Sequence, residues 1–549
     1  MIQSGIRCGT ALSVLGLCAA PMAAQTIPDT MALQRALATP TSNQLDAHIK
    51  FLADDLLEGR APGSRGADIA AHYVRAQFEE AGLAPGAPDG TFFQRLQLVG
   101  LTLSPSLVVG VAQRTTALQY LDDFVAWPLG PSAAVIADGE LVFVGYGIEA
   151  AEWTWDDFKM MPLAGKVLLM LVNDPGIENP SVFNGSEMTS YGRWTYKIEQ
   201  AARLGAVGVI LIHTDRSATY SWTVVRNSWS GEQVRVGGEG PQRLQFGAWV
   251  TEQAARQIVR GAGIDYDMMM RRAARRDFRP IPMNAHVIVD IASRVRRFEA
   301  VNVIGRLESY ATGEEQAVVL TAHYDHRGIG LPIGEDSIYN GAQDNASGVA
   351  ALIASATALA RAGPTPVRSI YFAATTAEES GLLGAEALVK SPPVPLAQTA
   401  AVVNIDLANL WGSTRDMVML GAEKSSLLAV AEEVARADGL RLAPDPSPES
   451  GRFYRSDHFP FARAGVPVLS LVPGLDFTDR PLDWGRARYA SYMSNRYHQQ
   501  FDDYRPDFNY DGLLQQVSAM IRLAWHLAGT PEFPAWNEDS EFRPAADRL

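Results

Sequence analysis

Cysteine is almost missing. The 549-residue chain has two, Cys8 and Cys18, and both fall in an N-terminal stretch that reads as a leader. The rest of the chain therefore has no disulfide, and any metal must be held by His, Asp and Glu. Long apolar runs are missing too: beyond the first 24 residues none is long enough for a membrane helix. Nor is there a basic excess. Lys and Arg number 47 against 61 Asp and Glu, a net charge of −14. That balance argues against nucleic acid and against an anionic membrane surface as partners. Internal repeats and low-complexity tracts are absent as well. What is present is 47% hydrophobic and 20% charged, the composition of a folded protein too long for one ordinary core.

Residues 1–24 read as a secretory signal. Arg7 supplies the positive start, Thr10 to Ala20 an apolar stretch too short to span a membrane, and Ala23-Ala24 small residues for cleavage. Leu15-Gly16-Leu17-Cys18 has the look of a lipoprotein box, but Leu17 is too large just before the cysteine. The expectation is a secreted or periplasmic mature chain.

The texture of the remainder changes twice. In residues 25–125 a helix is expected over 66–82, with Ala70, Tyr73, Val74, Phe78 and Ala81 on one face and Gly82 as its cap. The loop 57–63 before it reads as the flank of a larger core. Residues 126–293 carry short alternating runs, a helix near 195–204 and a crowd of tryptophans (Trp153, Trp155, Trp194, Trp222, Trp229), and read as a β-rich domain with few helices. His213 and His286 stand isolated there and read as structural. From 294 to 530 strand, helix and strand repeat, the signature of an α/β sheet with mostly parallel neighbours. A clear helix runs over 347–362, with Asn345 or Ser347 to cap it and Gly363-Pro364 to stop it. The tail 531–549 has little to pack and either wraps the surface or frays.

The candidate chemistry lies in that last region. The apolar run 317–320 delivers His323 and Asp325; the polar loop beyond it ends at Asp344, just before the helix. The strand 369–374 precedes Glu378-Glu379, the strand 401–405 ends at Asp406, and the loop after 467–471 returns at Tyr497-His498. His323, Asp344, Glu379, Asp406 and His498 thus all fall at or beyond the C-terminal ends of strands, where open α/β sheets bind ligands. Two imidazoles and three carboxylates suit zinc, with manganese or cobalt as alternatives. Five ligands exceed the needs of one zinc with an open position and suit two metals about 3.5–4 Å apart. Glu378 is then placed to act as general base, and Asp325 to accept the other ring proton of His323.

The segments AHYDH, IYNGAQDNASG, AEESGLLGA, NIDLAN and NRYHQQFDD resemble the M28 family of dizinc exopeptidases, the aminopeptidase and glutamate carboxypeptidase relatives. The resemblance implies an α/β zinc-exopeptidase fold, a central mostly parallel mixed sheet flanked by helices, with residues 126–293 as an inserted protease-associated domain. It implies that Asp344 bridges two zinc ions, with His323 and Asp406 completing one site and Glu379 and His498 the other. Glu378 matches the general base, and a cis peptide is implied at Asp344–Asn345. Tyr497 corresponds to a tyrosine that in some members hydrogen-bonds the tetrahedral intermediate, a packing role being the alternative. The substrate implied is a peptide or small protein, cleaved from its N-terminus. Carboxypeptidase action, glutaminyl cyclase chemistry with one zinc and a catalytically silent binding protein are the rivals. His326 is expected at the rim. Asp457 and His458 are read as either substrate-side or structural, and Trp484, Arg486 and Arg488 as a wall of the pocket. Oligomeric state is left open.

Overall fold

The computed structural model describes residues 30–111, 114–237, 244–365 and 367–544; the expected leader and the two cysteines lie outside them. The C-terminal half is built on a mixed sheet in the order Arg441–Ala443, Asp416–Leu420, Val468–Val472, Thr399–Ile405, Ala317–His323, Ser369–Thr375 and the end of the long strand Ile281–Leu307. Val468–Val472, Thr399–Ile405, Ala317–His323 and Ser369–Thr375 run parallel, with antiparallel neighbours on either side. Every residue of these four strands is buried. A sheet covered on both faces requires such unbroken apolar runs. One face packs against Met31–Leu37, Ser42–Leu52, Arg65–Glu80, Ser347–Ala362 and Asp511–Gly529, the other against Leu383–Lys390 and His458–Arg463.

The helix expected over 347–362 forms as Ser347–Ala362. Asn345 Oδ1 accepts the N–H of Gly348 at 3.0 Å, and Gly363, with φ of +101°, ends it in a conformation that favours glycine. Ser64 caps Arg65–Glu80 by accepting from the Ala67 N–H. The tail wraps rather than frays as far as residue 544: Trp536 donates its ring N–H to the carbonyl of Gly465 at 2.9 Å, and Phe542 packs on Phe453 and Phe459.

The strands Phe93–Val111 and Ile281–Leu307 pair antiparallel and carry the same continuous 16-stranded ladder into a second half, called the second sheet from here on. There Ala134–Phe143, Val167–Leu171, Gly208–His213 and Phe246–Thr251 lie parallel in turn, edged by antiparallel Phe124–Pro128. The segment holds more helix than its alternating runs suggest. Glu252–Gly261 and Tyr266–Ala273 cover one face, Trp194–Arg203 and Trp222–Ser230 the other. Residues 222–230, WTVVRNSWS, are rich in the β-branched and aromatic types that favour strands; packing of Val225 against the sheet overrides that preference. Among the described residues no helix is long and apolar enough to cross a membrane.

Candidate metal centre

The parallel strands bring their ends to one edge of the first sheet. His323 is the last residue of its strand, Asp406 follows Ile405, and Glu378 and Glu379 follow Thr375 after two residues. His323 Nε2 lies 3.3 Å from Asp344 Oδ1 and 3.4 Å from Asp406 Oδ1. On the other side of Asp344, His498 Nε2 lies 3.4 Å from its Oδ2 and 3.0 Å from Glu379 Oε2. Asp344 therefore offers one oxygen to each group. The Asp344–Asn345 peptide bond is cis.

His326 is not at the rim. Its side chain is fully buried, with Nδ1 2.7 Å from Glu379 Oε1. Arg60 holds the loop after the strand inward: its carbonyl accepts the His326 N–H at 3.4 Å and its Nε donates to the carbonyl of Tyr324 at 2.7 Å.

The residues fit metal ions. His326 Nε2 is buried without a partner, and His323 Nε2, Asp406 Oδ1, Glu379 Oε1 and His326 Nδ1 face one another's groups without any of them forming a well-aligned hydrogen bond, a condition rare in folded proteins. The ligand atoms of His323, Asp344 and Asp406 lie within 4.8 Å of one another, as do those of His326, Asp344 and Glu379. The cluster also attracts positive charge. Burial lowers the pKa of His498, yet Glu379 and Asp344 raise it to about 9. Burial likewise opposes ionisation of Glu379, but His498 and His326 hold it well below the usual carboxylate range. A cation entering here displaces protons from the imidazoles.

Glu378 is 8% exposed. Burial, with Asp406 and Glu379 adding to it, holds its carboxyl well above the usual range against the opposing His323. Asp325 has a different task from the one expected. His323 Nδ1 meets the backbone carbonyl of Asp325 at 3.1 Å, while the carboxylate stands 3.8 Å away. The Asp325 carboxylate turns instead to the backbone N–H of Glu378, which donates to it at 3.1 Å. Tyr497 stacks on His498, with centroids 3.9 Å apart.

Residues 302–524 match the model of Peptidase family M28. This part of the chain is similar to that family. Leupeptin-inactivating enzyme 1 of Streptomyces exfoliatus is 30% identical over 206 residues, 36% of this chain and 45% of that enzyme; the chain thus matches less than half of that relative's length. The solved aminopeptidase from Aneurinibacillus sp. strain AM-1 superposes with a TM-score of 0.53 at 17% identity, over 91% of this chain and 97% of that one. The zinc aminopeptidase of Bacillus subtilis gives 0.46 at 15%, over 94% and 98%. The first of these establishes a shared fold.

Around the site stand residues that no motif marked. Arg60 is buried, and its guanidinium donates to the carbonyls of Leu52, Tyr324, Asn340 and Gly341. Burial lowers its pKa to about 10 even though Asp325 and Asp502 pull it the other way. It pins both loops that carry His323 and Asp344. Asp502 accepts the N–H groups of Gln343 and Asp344 at 3.1 and 3.0 Å. A lone arginine in a Gly/Pro loop has no period to betray it, although the flanking LEGRAPG was visible in the sequence.

A cavity of about 720 Å³ opens over the site. Asp344, Glu378, Glu379, Asp406, Tyr497 and His498 line one end. Trp127 and Trp249 of the second sheet and Trp194 and Trp229 of the helices packed on it also line the cavity, with Trp127 stacked on Trp229 at 3.7 Å. Arg193, Arg235, Arg327 and Arg455 also reach it. The wall expected from Trp484, Arg486 and Arg488 is formed instead by Tyr489 and Met493 of the same helix. Trp484 packs on Phe477, Arg486 donates to the carbonyl of Pro446, and Arg488 lies over Trp411. Asp457 and His458 are fully buried. Asp457 accepts from Thr375 and His458 packs against Phe453; neither lines the cavity.

Proposed function

We propose that the chain is a metallo-exopeptidase that binds two zinc ions and releases residues from the N-terminus of peptides. One observation carries the reading: Asp344 presents one carboxylate oxygen to each of two His-carboxylate groups, and His323 Nε2 and Asp406 Oδ1 beside it are buried without a well-aligned hydrogen bond. His323, Asp344 and Asp406 would hold one ion; Asp344, Glu379 and His498 the other, with His326 beside Glu379. Manganese or cobalt would serve the same donors. When bound, the ions supply Lewis-acid activation of the scissile carbonyl and of the attacking water.

In this reading Glu378 takes the proton of the attacking water and returns it to the departing amine nitrogen. A carboxyl whose pKa is raised by burial is suited to keep that proton between the two events. Asp325 fixes the backbone of Glu378, and Tyr497 donates to the carbonyl oxygen as it becomes an oxyanion. The ammonium of the substrate sits among the carboxylates, and the tryptophan wall receives an apolar side chain. The similarity to an aminopeptidase supports the choice of end. We further read residues 25–125 and 294–530 as the catalytic domain, 126–293 as a protease-associated insertion, and the mature chain as secreted.

A second reading, carboxypeptidase action, draws on Arg235, which lines the same cavity with a buried, unpartnered Nε. Mass spectrometry of unblocked peptides incubated with the zinc-loaded protein separates the two. A ladder from the N-terminus supports the first; loss from the C-terminus replaces it with the second. No shortening with two metals bound would sink both.

A further inference from the structure

His498 is held from across the molecule. Its Nδ1 lies 2.9 Å from Ser228 Oγ, and its backbone carbonyl accepts from Asn227 Nδ2 at 2.9 Å. Both partners belong to the helix Trp222–Ser230 of the second sheet, 270 residues earlier in the case of Ser228. Arg327 adds a second tie by donating to the carbonyls of both Ser228 and Glu379. The helix is anchored in its own sheet through Val225.

A histidine that ligates through Nε2 must keep its proton on Nδ1, and that proton needs an acceptor. Ser228 Oγ is positioned to be that acceptor. His498 also has φ of +53°, a left-handed backbone that needs outside support, and Asn227 grips its carbonyl.

We propose that the helix Trp222–Ser230 is a working part of the metal centre: Ser228 and Asn227 are positioning residues for His498. Occupancy of the Glu379–His498 side and the seating of this helix are therefore coupled. The coupling is reciprocal. A cation on Nε2 tightens the helix, and a displaced helix leaves His498 without its tautomer and its backbone anchor. This inference rests on the reading of His498 as a ligand.

The test uses the full chain, stripped with chelator and titrated with zinc by calorimetry. Amide exchange is followed at 222–230, with the helix Glu252–Gly261 on the far face of the same sheet as the control. The wild type should bind two ions, and zinc should slow exchange at 222–230 but not at 252–261. Ser228→Ala should keep one ion and weaken the other by about 10- to 100-fold, while Ser228→Thr restores it. Wild-type affinity for both ions in Ser228→Ala, or exchange at 222–230 indifferent to zinc, overturns the coupling and leaves the two-metal reading standing. A wild type that binds fewer than two ions overturns the two-metal reading itself. The exchange measurement needs no variant, so it decides even if Ser228→Ala fails to fold.

Discussion

Two strands of this protein end alike. Gly208–His213 is followed by Thr214-Asp215, and Ala317–His323 by Tyr324-Asp325, each a His-x-Asp at the end of a strand parallel to its neighbours. The two histidines do opposite things. His213 Nε2 meets the carbonyl of Tyr220 at 3.1 Å, its ring packs edge-on to Trp222 and Trp249, and burial lowers its pKa. His323 Nε2 faces two carboxylates, and its pKa is pushed well up in spite of burial.

The difference lies in the neighbouring strand ends. Past the ends of the strands beside Gly208–His213 the carboxylates already have partners: Asp174 accepts from Gly176 and Thr189, and Glu252 pairs with Arg256; Asp215, 4.0 Å from His213, is exposed. Near His323, Asp406 Oδ1 is buried without a well-aligned hydrogen bond, and Glu379 faces the imidazoles of His326 and His498. A His-x-Asp pair becomes a metal motif only where adjacent strands leave carboxylates unspent.

The largest expected effect comes from testing that contrast directly. His323→Ala should abolish peptidase activity and lower the bound metal, as elemental analysis reads it. His213→Ala should keep metal and activity while losing roughly 1–3 kcal/mol of stability in a denaturant melt. Full metal content in His323→Ala would break the comparison. Next, Glu378→Gln should lower kcat by about 10²–10⁴-fold with metal content unchanged; near-wild-type turnover removes Glu378 as the base.

Arg60→Met sharpens the contrast in loop support. Leaving its carbonyls unpaired should cost about 3 kcal/mol of stability, seen as a lower Tm; an unchanged Tm means those loops hold themselves. Smallest is metal removal. At free zinc one hundred times Kd the bound ion contributes about 2.7 kcal/mol. Chelation should therefore speed amide exchange at 342–346 and leave 208–213 unaltered, and equal changes at both would show that the two strand ends are not distinct.

Much of this was legible in the chain itself. The helix 347–362 appears at its expected limits because a long apolar period, a capping Asn and a Gly-Pro stop all act within one short stretch. His323, Glu379 and Asp406 meet at one sheet edge because each sits at or just past the end of an apolar strand, and parallel strands align their ends; Asp344 and His498 reach it on longer loops. His326 was not legible, since nothing in HYDHRG says which way the last imidazole turns. Nor was the helix 222–230, whose residue types favour a strand until the second sheet packs on it.

By itself the sequence determined the donor types and their order along the strands. Those follow from hydrophobic pattern and punctuation, which act over about ten residues. Only the tertiary structure decided that Asp325 serves Glu378, that Arg60 reaches the carbonyl of Tyr324 264 residues away, and that Ser228 meets His498. Such contacts depend on how distant segments pack, and no local period encodes the direction in which a side chain points once they have met.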